Sequence, residues 1–293
     1  MQHVSPSPLS FKDVMTGKAD VFFLSGVLFC FVAAYAPVLK ALVHSWSTSD
    51  NYSHGFFIVP ISLFILWQKR DQLARVEIFP ANWGLGLIIA SLAIYFLASL
   101  AGIQTLAALP IVPLWAGIIL YLFGWRMLRE VMFPLCFLFF MIPIPSQLYS
   151  LMTIPLQLMV SKISVMLTSG IGIPVFSEGN VLHLPDRTLE VVEACSGLRS
   201  LLSLFVLSLV FGYFSLQSNW LRTILFVSAV PIALCVNVVR VSLIIISFYF
   251  FGFDLTSGAV HTYLGIAVFL LAMALIFAEK GILSHWNQIS DAE

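Results

Sequence analysis

Three residues have types and settings that could do chemistry together. Cys195 stands in Glu193-Ala194-Cys195-Ser196-Gly197-Leu198-Arg199, after an acidic stretch and at the head of an apolar run. A helix start offers unpaired backbone N–H groups and the positive end of the helix dipole, which favour a thiolate. Arg199 one turn on adds to this, whereas Glu193 opposes it. The setting permits a nucleophile, and equally a buried thiol with no chemistry. Arg240, in Asn237-Val238-Val239-Arg240-Val241, is flanked by apolar residues. An arginine at bilayer depth costs at least about 2.5–3.5 kcal/mol and usually faces a cavity or partner; Asn237 one turn earlier extends such a polar face. The competing reading is a side chain snorkelling to the headgroups. His261 opens the last apolar run, and imidazole is the side chain best suited to proton transfer near neutral pH. His44, His54 and His183 fall on the same side of the chain's topology, where each fits an ordinary hydrogen-bonding role. A thiol, a permanent cation and an imidazole together supply a nucleophile, a partner for a developing oxyanion and a proton carrier.

The elements that must position these groups are membrane helices. The chain has 293 residues, 60% hydrophobic and only 10% charged, against about 45–50% and about 25% for soluble domains. Fourteen basic side chains balance fourteen acidic ones, so there is no basic surface for nucleic acid. Apolar runs bounded by charges or turn residues predict an all-α polytopic protein with about eight transmembrane helices, near 21–43, 54–68, 83–101, 106–123, 131–142, 196–214, 221–250 and 262–279. The first run is too long for the core of a cleaved signal peptide and reads as a retained anchor. No repeat or linker divides the chain. The expected organisation is a cytoplasmic segment over 1–20, one integral domain over 21–280 and a cytoplasmic tail over 281–293.

Two stretches depart from plain spans. From Ser146 to Gly170, neutral polar residues recur every three or four positions, including Gln147, Thr153, Gln157, Ser161, Ser164 and Thr168. This predicts an amphipathic helix, interfacial or re-entrant, or else standing in the bundle with its stripe towards a wet cavity. From Gly172 to Ala194 the polar content excludes a span. Val181, Leu182 and Leu184, then Leu189, Val191 and Val192, flank Pro185-Asp186 and predict a short hairpin, an ornament on the helices.

Lys and Arg mark cytoplasmic loops. Lys12, Lys18, Lys69, Arg70, Arg75, Arg126, Arg129, Arg222 and Lys280 alternate consistently with eight crossings if the 146–170 helix does not cross. Both termini then lie in the cytoplasm, and Cys195, Arg240 and His261 lie at the external edge of a cell membrane. Cys30, Cys136 and Cys235 fall inside spans and are expected to be small buried hydrophobes. Cys195 has no second cysteine on its side for a disulfide, no Cys/His grouping has zinc spacing, and no metal or cofactor is expected.

The order and spacing of the Cys195, Arg240 and His261 segments resemble the exosortase/archaeosortase family of polytopic membrane cysteine transpeptidases. Ser53-His54-Gly55 with Pro60, and Met141-Ile142-Pro143-Ile144-Pro145, are lesser similarities. The resemblance implies a protein-sorting peptidase of the inner membrane, active on its periplasmic face. Its substrates are exported proteins with a C-terminal tripartite signal of short motif, transmembrane helix and basic cluster, the motif being Pro-Glu-Pro in bacterial members. It further implies Cys195, Arg240 and His261 as catalytic residues, with Glu193, Arg199, Asn237 and His54 binding substrate or supporting them. Partners are then the substrate and membrane lipid, with no nucleic acid. Residue chemistry alone also fits a transporter or flippase with Arg240 lining the path, although no paired broken helices support it.

Overall fold

A computed structural model describes residues 18–185, 187–191, 198–256 and 258–290. The chain divides between Pro145 and Ser146 into two compact units.

The first unit is helical: α1 (Lys18–Thr48), α2 (Gly55–Gln68), the short α3 (Arg70–Leu73), α4 (Trp83–Leu100), α5 (Gln104–Ala108), α6 (Ile111–Phe123) and α7 (Trp125–Phe137), followed by a 3₁₀ turn over Leu138–Met141. The fifth predicted span starts earlier than the hydropathy suggested, because Arg126, Arg129 and Glu130 belong to the first turns of α7 and not to a loop. Within α7, Pro134 has no N–H to return to the Glu130 carbonyl four residues back. Lys69 fills that vacancy: its Nζ donates to the Glu130 carbonyl at 2.9 Å and pairs with the Glu130 carboxylate at the same distance. Ser62 of α2 donates to the Pro134 carbonyl at 2.7 Å, so α2 and the Lys69 that caps it are tied to α7 at both Pro134 and Glu130.

The second unit opens with α8 (Ser146–Gly170). Strands β1 (Phe176–Glu178), β2 (Val181–His183) and β3 (Thr188–Glu190) follow, then α9 (Leu198–Ser215), α10 (Asn219–Phe251) and α11 (Gly258–Ser290). The predicted hairpin is β2–β3, with Leu182 opposite Leu189, and β1 adds a third antiparallel strand. It is no ornament. Leu182, Leu184 and Val191 are buried in one cluster with Ile173, Val175, Val160 of α8, and Val238, Val241 and Ile245 of α10. Alternation sends one side of β2 and β3 inward, and the helices supply the apolar partner that three short strands cannot provide alone.

The polar stripe of α8 is turned towards protein. Thr153, Gln157, Ser161, Ser164 and Thr168 are buried, while Leu151, Ile154, Leu158, Met166 and Leu167 are exposed. Ser164 Oγ donates to the Val238 carbonyl of α10 at 3.4 Å, and Thr153 and Thr168 return their hydroxyls to carbonyls four residues back. Such local bonds let neutral polar residues pack between helices while apolar ones meet lipid. This packing turns the stripe against protein and not towards a wet cavity.

The protein is a multi-pass membrane protein. Among the described residues six helical stretches are long and apolar enough to cross a bilayer, 21–48, 83–100, 104–123, 146–170, 219–251 and 258–286, and α2 and α9 are shorter apolar helices. This set includes α8 and does not single out eight crossings. The expectation that Cys30, Cys136 and Cys235 are buried is overturned, since all three are exposed on the protein surface. In a bilayer a thiol facing lipid is as well accommodated as one in a core, so apolar character does not tell which way it points.

Candidate active site

Arg240 occupies the buried face of α10, together with Asn237 one turn before it; their exposures are 7% and 4%. The helix ends at Phe251, eleven residues after Arg240, and Gly252 with φ +65° gives the left-handed cap in which its N–H returns to the Phe248 carbonyl. Beyond the cap, Asp254 Oδ1 accepts from the Thr256 N–H at 2.8 Å and from the Thr256 hydroxyl. These bonds hold the Asp254 carboxyl below the usual carboxylate range, with Arg187 and His261 adding a smaller electrostatic effect. The folded loop presents the Leu255 carbonyl to the first turns of α11.

His261 stands there between two partners. Its Nδ1 lies 3.2 Å from the Leu255 carbonyl, and its Nε2 lies 3.0 Å from Arg240 Nη2. A carbonyl can only accept and a guanidinium can only donate. The two contacts therefore assign one tautomer, with the proton on Nδ1 and the lone pair of Nε2 turned towards Arg240. Residues 21 positions apart in sequence meet because α10 and α11 pack together across a short loop.

His261 also borders a cavity of about 270 Å³. Leu182 of β2, Thr188, Leu189 and Glu190 of β3, Val191, then Val241, Ile244 and Ile245 of α10, and Thr256 complete its lining. Six of the ten lining residues are aliphatic, and Thr188, Glu190, Thr256 and His261 supply the polar part. Such walls can hold apolar groups while the polar side chains orient them. The cavity was not legible in the sequence, because it depends on the sheet docking against α10.

The other predicted site residues are placed as follows. Arg199 lies in the first turn of α9, where its carbonyl accepts from Ser203. Glu193 and Cys195 lie outside the described residues. His54 belongs to the first unit, at the start of α2, with Nε2 3.2 Å from the Phe140 carbonyl. His183 stacks on Phe176 and faces Glu178 at 3.5 Å within the sheet, and His44 is an exposed residue of α1. His183 thus has an ordinary packing and pairing role. Among the described residues no group of His, Cys, Asp or Glu could hold a metal ion.

The sequence model of the transmembrane exosortases matches residues 46–278, most of the chain. No curated protein and no solved structure matches.

Proposed function

Because this chain belongs to the transmembrane exosortase family, whose members are membrane protein-sorting transpeptidases, we propose that it is a cysteine transpeptidase that cleaves exported proteins beside their C-terminal transmembrane helix. The observation that carries the reading is the Arg240–His261 pair at 3.0 Å beside an aliphatic cavity. Strand β3, which lines that cavity, leads in sequence to Cys195 four residues after Val191. The substrate is a protein with a short motif, a transmembrane helix and a basic cluster. Its motif enters from the periplasmic face of the inner membrane, and its basic cluster stays in the cytoplasm.

The reaction follows from the tautomer. The Nε2 lone pair of His261 accepts the proton of the Cys195 thiol, and the thiolate attacks the motif's carbonyl carbon, forming the S–C bond. Once protonated, Nε2 can no longer accept from Arg240, and the like charges part. The guanidinium turns its N–H groups to the oxyanion of the tetrahedral intermediate. Collapse of the intermediate breaks the C–N bond, and the imidazolium gives its proton to the departing amine. An amine or water then attacks the thioester and restores the thiol. Asn237, Arg199 and Glu193 bind the substrate or support this arrangement.

The deciding experiment isolates a thioester between Cys195 and a substrate bearing the tripartite tail. Cys195→Ala is expected to leave the substrate full-length at matched enzyme levels. Continued processing by that variant would sink the thiol mechanism.

A further inference from the structure

We infer that the first unit carries a binding site for the phosphate-bearing headgroup of an anionic lipid, built from the loop before α4 and the start of α7. A cavity of about 480 Å³ lies there, lined by Arg75, Glu77, Trp125, Arg126, Arg129 and Glu130, with Val76.

The site is made by a close approach of backbones. Phe79 donates its N–H to the Phe123 carbonyl at 3.2 Å and bridges to Gly124. Gly124 has φ +85°, and a Cβ there would stand 1.8 Å from the Phe79 carbonyl oxygen, so only glycine allows the strap to close. Closing it brings the strap bearing Arg75 and Glu77 against the first two turns of α7.

The charges are unequal. Glu130 is already engaged by Lys69 and Gln72, and Glu77 by Arg126, which also covers the Phe79 ring at 4.8 Å. Arg75 and Arg129 have no hydrogen-bond or ion-pair partner among the described residues, and both are exposed. Two uncommitted guanidiniums therefore line a concavity whose acids are occupied by other bases. Guanidinium forks suit phosphate oxygens, and the unpaired N–H groups of the α7 N-terminus add positive potential. Free phosphate shares that chemistry, but the surroundings favour a lipid. Trp125 lines the cavity and is exposed; Trp67 and Trp83, eight residues to either side of Arg75 in sequence, are exposed too, and Arg70 covers the Trp67 ring at 4.6 Å. Exposed tryptophans mark the membrane–water interface. The charge bias also puts this edge in the cytoplasmic leaflet, where anionic lipids concentrate.

The test uses the full chain in a neutral detergent, with retained lipid counted by native mass spectrometry. Phosphatidylglycerol is expected to bind at least tenfold more tightly than phosphatidylcholine. The double variant Arg75→Gln/Arg129→Gln should lose about tenfold in phosphatidylglycerol affinity, and Lys280→Gln should lose nothing. The thermal midpoint of the double variant without lipid should match that of the unaltered chain. If the midpoint falls, the single variants are read instead, each expected to lose about threefold. Equal retention of the two lipids, or unchanged binding by the arginine variants, would overturn the site. Displacement of phosphatidylglycerol by inorganic phosphate at concentrations no higher than the lipid's own would overturn the lipid assignment.

Discussion

Gly265 leaves the space that the Arg240 guanidinium fills: a Cβ built at Gly265 would lie 3.5 Å from Nη2 and 3.8 Å from Cζ. The glycine sits one turn after His261 on α11, so the helix that carries the imidazole also makes room for the cation it faces. At this distance alanine makes ordinary contact. A longer side chain would need the volume the guanidinium occupies. Gly265→Ala is expected to keep processing within about threefold, whereas Gly265→Leu should lower it by tenfold or more, about 1.4 kcal/mol in barrier. Equal rates for the two variants would show that this contact does not position Arg240.

Arg240 and His261 should fail in different ways. Arg240→Lys keeps the charge but cannot present a planar fork to both the imidazole and an oxyanion, and should lose at least tenfold in processing. His261→Ala should accumulate full-length substrate, while His44→Ala and His183→Ala retain more activity. The ratio of full-length to processed substrate in membranes measures both. Retained activity in Arg240→Lys would reduce the arginine to a point charge.

Among the described residues the hydroxyl of Ser161 has no hydrogen-bond partner, and the residue is fully buried. An unsatisfied buried polar group costs about 1–3 kcal/mol, so removing it relieves a penalty. Ser161→Ala is expected to be neutral or stabilising by about 1 kcal/mol in reversible detergent unfolding. Ser164→Ala, which deletes the bond to Val238, should be destabilising.

The lowered Asp254 pKa has a defined sign. A carboxylate held below its unfolded value contributes order at and above the usual carboxylate range and loses it as pH falls through the folded value. Protection of the Thr256 amide, measured by hydrogen exchange and corrected for intrinsic rates, should be flat from neutral to mildly acid pH and fall only below that range. Asp254→Asn should remove the dependence. A loss of protection already between neutral and mildly acid pH would show that another group controls the loop.

Sidedness is open to a direct measurement. A variant retaining only Cys195 should react in spheroplasts with a membrane-impermeant thiol reagent. Labelling only after permeabilisation would invert the orientation read from Lys and Arg. A reporter fused at Gly172 should likewise lie outside.

The helices were legible because apolar runs and their charged borders are local properties of the chain. The predicted 83–101 became Trp83–Leu100, and 221–250 became Asn219–Phe251. That Arg240 would turn inward to a partner was legible too, since a lone cation amid aliphatic residues needs one wherever the helix turns. Which partner it meets is a property of packing. His54, His44 and His183 were equally good histidines by composition, and only the α10–α11 contact and the Leu255 carbonyl put His261 at 3.0 Å in one tautomer. The same limit governed the sheet, whose alternation is visible over a few residues but whose burial depends on Val238, Val241 and Ile245, some fifty residues away in sequence. It governed the three exposed cysteines and the stripe of α8 as well. Hydropathy says that a side chain avoids water, and in a bilayer both lipid and protein satisfy that demand, so the choice between them falls to tertiary packing.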